Sequence, residues 1–188
     1  MHFNCTTHTH KMSRQKKALK NSTQSEPYTH IRPVTLEDAA QLQAHCFSTL
    51  TVEQTRHAII NTLAAATAGK EVQLVAEIDA QVIGSATLIR DSHPLRSHRA
   101  GLFGLVVNPA FQKQGVARQL VDALLVHAQA MGIAILETSC RAGTGAEAVY
   151  PKLGFTEYGR LPRGIYQTWG TPAVFDEVYF YRMCSEFK

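Results

Sequence analysis

Apolar and polar positions follow two periods along the chain, and the places where one period gives way to the other mark its elements. Ile31 and Val34 flank Pro33 in a short run that suits an edge strand, because proline cannot donate to a central ladder. Thr35 and Asp38 form an acid-bearing relative of the capping box, which predicts a helix to about Cys46. A second helix is expected over Val52 to Ala68, with Ile59, Ile60, Leu63 and Ala64 on its apolar face and Gly69 as its stop. Val72, Leu74, Ala76 and Ile78 then recur at every second position. After a turn near Asp79 the run Val82 to Ile89 returns, so the pair reads as an antiparallel hairpin.

Leu102 to Val107 is continuously apolar, as expected for a strand covered on both faces, and Asn108-Pro109 closes it. In the next stretch Ala117, Leu120, Val121, Leu124, Ala128 and Met131 recur at three- and four-residue intervals, which predicts a long amphipathic helix ended by Gly132. A strand from Ile133 to Cys140, a short helix from Gly145 to Leu153 and a strand from Phe155 to Gly159 follow. A loop from Pro162 to Pro172 and a final strand from Val178 to Met183 complete the series. This alternation predicts an α/β (α+β) class, with a mixed central sheet flanked by helices.

Composition limits the function classes. The chain has 188 residues, 45% hydrophobic and 18% charged, which fits one globular domain. No run of about 18 consecutive apolar residues would span a bilayer. The net charge of +4 would raise the prospect of a nucleic-acid partner, but Lys11, Arg14, Lys16, Lys17 and Lys20 against Glu26 account for all of it. Residues 1–26 read as a disordered basic tail, too poor in apolar side chains to offset the entropy of ordering them, or as an over-long start with Met12 as the initiator. The tail lacks the apolar centre of a secretory signal, and its lysines suit a transit peptide poorly. His2, Cys5, His8 and His10 lie too close together for a zinc knuckle, so no metal is expected. Cys5, Cys46, Cys140 and Cys184 form no Cys-x-x-Cys pair, which fits reduced thiols in a cytoplasmic protein. Residues 27–188 are left as a neutral body, with no nucleic-acid or membrane partner expected, acting as a monomer or homodimer.

The chemistry concentrates between the apolar strand and the long helix, in Gln112-Lys113-Gln114-Gly115-Val116-Ala117-Arg118. A helix N-terminus offers unpaired N–H groups and about half a positive charge, which together hold phosphate. Gly115 can take positive φ, Ala117 is small, and Lys113 and Arg118 add cationic donors. Downstream, Tyr150-Pro151-Lys152-Leu153-Gly154-Phe155 ends the short helix. The two stretches together resemble the paired signatures of the GNAT family of N-acetyltransferases, with Gln112, Gly115 and Ala117 in the coenzyme-binding slots. A Rossmann site does not fit, because the full glycine fingerprint and its distal acid are missing.

The resemblance implies the GNAT fold and acetyl-CoA as co-substrate. It also implies that Leu105, Val106 and Val107 pair with the pantetheine arm, and that Tyr150 protonates the leaving thiolate. Ala142-Gly143, Ala146-Glu147, Gly159-Arg160-Leu161-Pro162 and Tyr179-Phe180-Tyr181 bring the likeness nearest to the tabtoxin resistance acetyltransferases. In that branch strand acids assist deprotonation of the amine, and Gly101 and Ser139 stand in their places. Glu137, on the same strand face as Ser139, is the expected replacement, with His98 next; Glu147 either serves its helix or pairs with a base. Arg163, Tyr166 and Trp169 either line an acceptor pocket or lie in a surface loop with Trp169 on the last strand. The expected activity is acetylation of a small primary amine such as an amino acid, dipeptide or antibiotic. Acetylation of a protein N-terminus or lysine, and acyl-CoA binding without catalysis, are the alternatives.

Overall fold

The structure, a computed structural model, describes residues 29–184, so the expectations for residues 1–26 and for Cys5 lie outside the described residues. Seven strands, β1 (His30–Pro33), β2 (Glu71–Ile78), β3 (Gln81–Arg90), β4 (Arg99–Val107), β5 (Ile135–Arg141), β6 (Thr156–Gln167) and β7 (Ala173–Met183), make one sheet in the order β1-β2-β3-β4-β5-β7-β6. Every pairing is antiparallel except β4 with β5, which is parallel, so the expected mixed sheet is present. Helices α1 (Ala39–His45) and α2 (Val52–Thr67) enclose one core cluster with Val34, Leu42, Ile59, Val75 and Val82. On the other face α3 (Val116–Ala130) seats Leu120, Val121, Leu124 and Ala128 against Leu74, Leu88, Ala100 and Leu102, and the short α4 (Gly145–Val149) follows β5.

Local signals hold where the partner is local. The Asp38 carboxylate accepts from the Thr35 N–H at 2.8 Å, as the capping pattern requires, although the first turn is a 3-10 turn over Leu36–Asp38. The same carboxylate takes both terminal nitrogens of Arg32 at 2.8 Å, and Arg32 also meets Glu77, so β1, β2 and the entry to α1 share one charge network. Gly132, at φ 70, follows the end of α3.

Three expectations change. On α2 the buried residues are Thr55, Ile59 and Thr62, while Ile60 and Leu63 are exposed. The two threonines can face inward because Thr55 donates to the Thr51 carbonyl and Thr62 to Glu71, leaving no unmet hydroxyl. β4 is not covered on both faces: Phe103 and Gly104 are exposed. The segment from Pro162 to Pro172 is mostly strand, since β6 runs to Gln167. Pro162 is tolerated because β6 is an edge strand and Pro162 lies where the register with β7 shifts, between Leu161 and Ile165.

The departure in β4 creates the site. Its ladder with β5 consists of Arg99↔Ile135, Ala100↔Leu136 and Gly101↔Glu137, and goes no further. On its other side Ala86 alone stands opposite Gly104 and Leu105, a bulge with Gly104 at φ 57. An extra residue on one strand bends that strand and raises its twist. Beyond Gly101, β4 is therefore paired with β3 alone, and the sheet opens between its two central strands.

Candidate functional site

Two clefts meet at this opening. The larger, about 710 Å³, lies between the end of β4, the start of α3 and α4. Leu105, Val107, Gln112, Lys113, Gly115, Val116, Ala117, Arg118 and Tyr150 all line it, as do Gly145 and Ala146. Gly115 is the N-cap of α3 at φ 84, and no side chain caps that end. A Cβ built on Gly115 would meet nothing within 4 Å, so glycine serves the backbone angle there while the space beside it stays open. The first-turn N–H groups of a 15-residue helix thus face a cleft with Lys113 and Arg118 on its wall. This end of the cleft suits a diphosphate.

Some of the expected ligand groups are already engaged. The Val107 carbonyl accepts from the Gln112 side chain at 3.0 Å, so Gln112 braces the end of β4. The Arg118 guanidinium donates to the Lys152 carbonyl and ties α3 to the turn after α4. Val106 pairs with Ser85 on β3, and Gln114 donates to the Ala110 carbonyl; neither lines the cleft.

Tyr150 sits at the inner end, 9% exposed, between the rings of Phe155 and Phe180 at 5.6 and 5.3 Å. Its hydroxyl is 3.3 Å from Thr138 Oγ1, which also donates to the Leu102 carbonyl at 3.0 Å across the gap between β4 and β5. Burial pushes the Tyr150 phenol above its ordinary value, and the Thr138 contact offsets part of the rise. Tyr150 therefore holds its proton at neutral pH.

The second cleft, about 450 Å³, includes Thr138 as well, together with Arg90, Gly101, Phe103, Glu137, Ser139, Tyr158 and Tyr179. Thr138 is thus shared: its residue lines this cleft while its hydroxyl touches Tyr150 of the other. The Phe103 ring lies over Gly101 so closely that a Cβ there would come within 2.3 Å of it, and Phe103 occupies the space a side chain at 101 would need.

Residues 36–155, well over half of the chain, match the family model described as Acetyltransferase (GNAT) family. The chain belongs to the GNAT family. Acetyl-CoA as co-substrate accompanies that membership. The ribosomal protein bS18-alanine N-acetyltransferase of Haemophilus ducreyi is 44% identical over 59 residues, 31% of this chain and 41% of that protein. The chain spans less than half the length of the curated relatives it matches. The fold is shared with solved structures, among them the following two. One is a ribosomal-protein-alanine N-acetyltransferase from Brucella melitensis, with 22% identity, TM-score 0.70 and coverage of 82% of this chain and 99% of that one. The other is a Salmonella typhimurium protein with its cofactor acetyl-CoA, with 18% identity, TM-score 0.71 and coverage of 85% and 95%.

In this GNAT chain the acceptor side differs from expectation. Glu137 reaches the second cleft, but both its oxygens are held by Arg99, at 2.7 and 2.6 Å, and Tyr158 donates to it at 3.1 Å. Both carboxylate oxygens are thus committed to the ion pair with Arg99, and a guanidinium does not relay protons. His98 lines neither cleft. Glu147 accepts from the Gly143 N–H at 2.6 Å and from Arg160, serving both the start of α4 and an ion pair. Arg163, Tyr166 and Trp169 are also outside both linings. Trp169 lies 5.8 Å from the Arg141 guanidinium, and Arg163 uses its N–H to reach Asp176 at 2.9 Å.

The residues that sequence reasoning missed are Phe103, Thr138, Tyr158, Tyr179 and Glu177. Glu177 accepts from Ser139 Oγ and from Tyr179 Oη, each at 2.6 Å. The alternation Glu177, Tyr179, Tyr181 marks them as one strand face, but only the β5–β7 register brings that face beside Ser139.

Proposed function

We propose that this protein is an acetyl-CoA-dependent N-acetyltransferase that acts on a small primary amine, with residues 27–188 as its catalytic domain. The observation that carries the reading is the junction of the two clefts at Thr138, with Tyr150 on one side and Gly101, Ser139 and Tyr179 on the other. The coenzyme supplies an acetyl thioester. The uncapped start of α3, with Lys113, Gly115, Ala117 and Arg118, binds its diphosphate, and the stretch of β4 from Leu105 to Val107, paired with β3 but not with β5, orients the pantetheine arm. The acceptor amine enters through the second cleft and reaches the thioester where the strands part. Tyr150, buried and protonated, gives its proton to the departing sulfur.

A cleft of about 450 Å³ falls in the range of small-molecule sites, and the likeness of 142–162 and 179–181 to the tabtoxin resistance branch favours the same acceptor class. The reduced thiols Cys46, Cys140 and Cys184 fit a cytoplasmic setting. A second reading, acetylation of a protein α-amine, is favoured by the names of the curated relatives. Thiol release from acetyl-CoA with a panel of amino acids, dipeptides and aminoglycosides, set beside a peptide beginning with alanine, separates the two. We expect turnover with small amines to exceed that with the peptide. Turnover with the peptide alone assigns the protein reading, and no turnover with any amine overturns both.

A further inference from the structure

The position next to the opening on β5 carries a serine, and a serine hydroxyl is no base at neutral pH. The structure supplies an acid behind it. Glu177 on β7 lies one step from Ser139 on β5, with Oε1 2.6 Å from Ser139 Oγ and Oε2 2.6 Å from Tyr179 Oη. Ser139 and Tyr179 both line the acceptor cleft; both donors are hydroxyls, and neither is a cation. That is the difference from Glu137, whose partner Arg99 cannot hand on a proton.

Gly164 keeps the place open. A Cβ at Gly164 would lie 2.8 Å from Glu177 Cβ and 3.2 Å from Oε2, so a side chain at this position would press on Glu177. Around Glu177 stand its own register partner Arg141 on β5, Tyr179 on its own strand and Tyr158 on β6.

We propose that Glu177 is the proton acceptor of the acetyl transfer, acting through Ser139. This inference rests on the N-acetyltransferase reading. The acceptor arrives as R–NH3+. One N–H proton passes to Ser139 Oγ while the Ser139 proton passes to Glu177 Oε1, leaving R–NH2, an unchanged serine and a neutral Glu177. The nitrogen lone pair then forms the C–N bond, the C–S bond breaks with its electron pair on sulfur, and sulfur takes the Tyr150 proton. The second N–H proton of the new amide restores Tyr150, and Glu177 releases its own to solvent, so one proton is produced per acetyl group moved. Glu177 lines neither cleft; it is a positioning and relay residue, and Ser139, which lines the acceptor cleft, is the group that meets the amine.

The test is the pH profile of kcat/KM for the best amine of the panel, measured with wild type, Glu177→Gln and Ser139→Ala, with KM for acetyl-CoA and thermal midpoint recorded for each. We expect Glu177→Gln to lose activity on the order of 10²-fold at neutral pH. The deficit should shrink as pH rises and the acceptor loses its proton unaided, while KM for acetyl-CoA is unchanged. Ser139→Ala, which leaves the carboxylate in place, should reproduce that pH-dependent loss. If Glu177→Gln and Ser139→Ala lose nothing, or lose activity equally at every pH, the relay is overturned while the acetyltransferase reading stands. If wild type itself turns over no amine, both fall.

Discussion

Tyr150 combines two properties that one residue type can meet. Its ring fills core volume between Phe155 and Phe180, while its hydroxyl is at the strand opening beside Thr138. Tyr150→Phe keeps the packing and removes only the proton. The expected outcome is a fall in kcat on the order of 10²-fold with KM for acetyl-CoA little changed, read by thiol release. A variant with wild-type kcat would remove Tyr150 from the chemistry and leave it a core aromatic. Gly101 shows the reverse case: the Phe103 ring takes the space beside it that a side chain would fill.

Among the elements, β1 and the entry to α1 depend on a single charge cluster. Asp38 is 4% exposed and receives both terminal nitrogens of Arg32. Burial pushes its carboxyl upward, but hydrogen bonds from Arg32 and Thr35 outweigh it, and the net direction is below the usual range. A carboxyl depressed in the folded state adds stability that is complete above its unfolded value, about 3.9, and is lost as pH falls through the folded one. Asp38→Asn is accordingly expected to cost about 2 kcal/mol at pH 7, less than a fully buried pair because Glu77 still holds Arg32. The gap between variant and wild type should narrow as pH falls below about 3.9 and on through the lower folded-state value, in urea titrations at several pH values. A gap that persists unchanged in acid would mean that the loss is one of packing. The β6–β7 hairpin shows how pattern reading falls short at this scale. Pro162 and Gly164 look like loop residues, yet an edge strand with an irregular register accommodates both.

At the scale of the whole molecule, the sheet is a partition with an opening where β4 and β5 part, and each cleft approaches that opening from its own side. Ligand at the α3 end binds only the folded chain, so coenzyme A at about 100 times its Kd should stabilise the protein by about 2.7 kcal/mol. Thermal melts over a coenzyme titration should show a concentration-dependent rise in Tm, and an unshifted Tm at saturating coenzyme would contradict the cleft assignment. The proposed coenzyme half of this arrangement was legible in the sequence because its residues are local. Gln112 to Arg118 is one continuous stretch, and both its glycine with positive φ and the amphipathic helix that follows can be read without the rest of the chain. The proposed acceptor half was not legible, since Ser139 and Glu177 are 38 residues apart and meet only through the β5–β7 register. A shift of that register by one residue would turn Glu177 to the opposite face, so hydrophobic periodicity, which is the same for either neighbour, carries no record of the pairing.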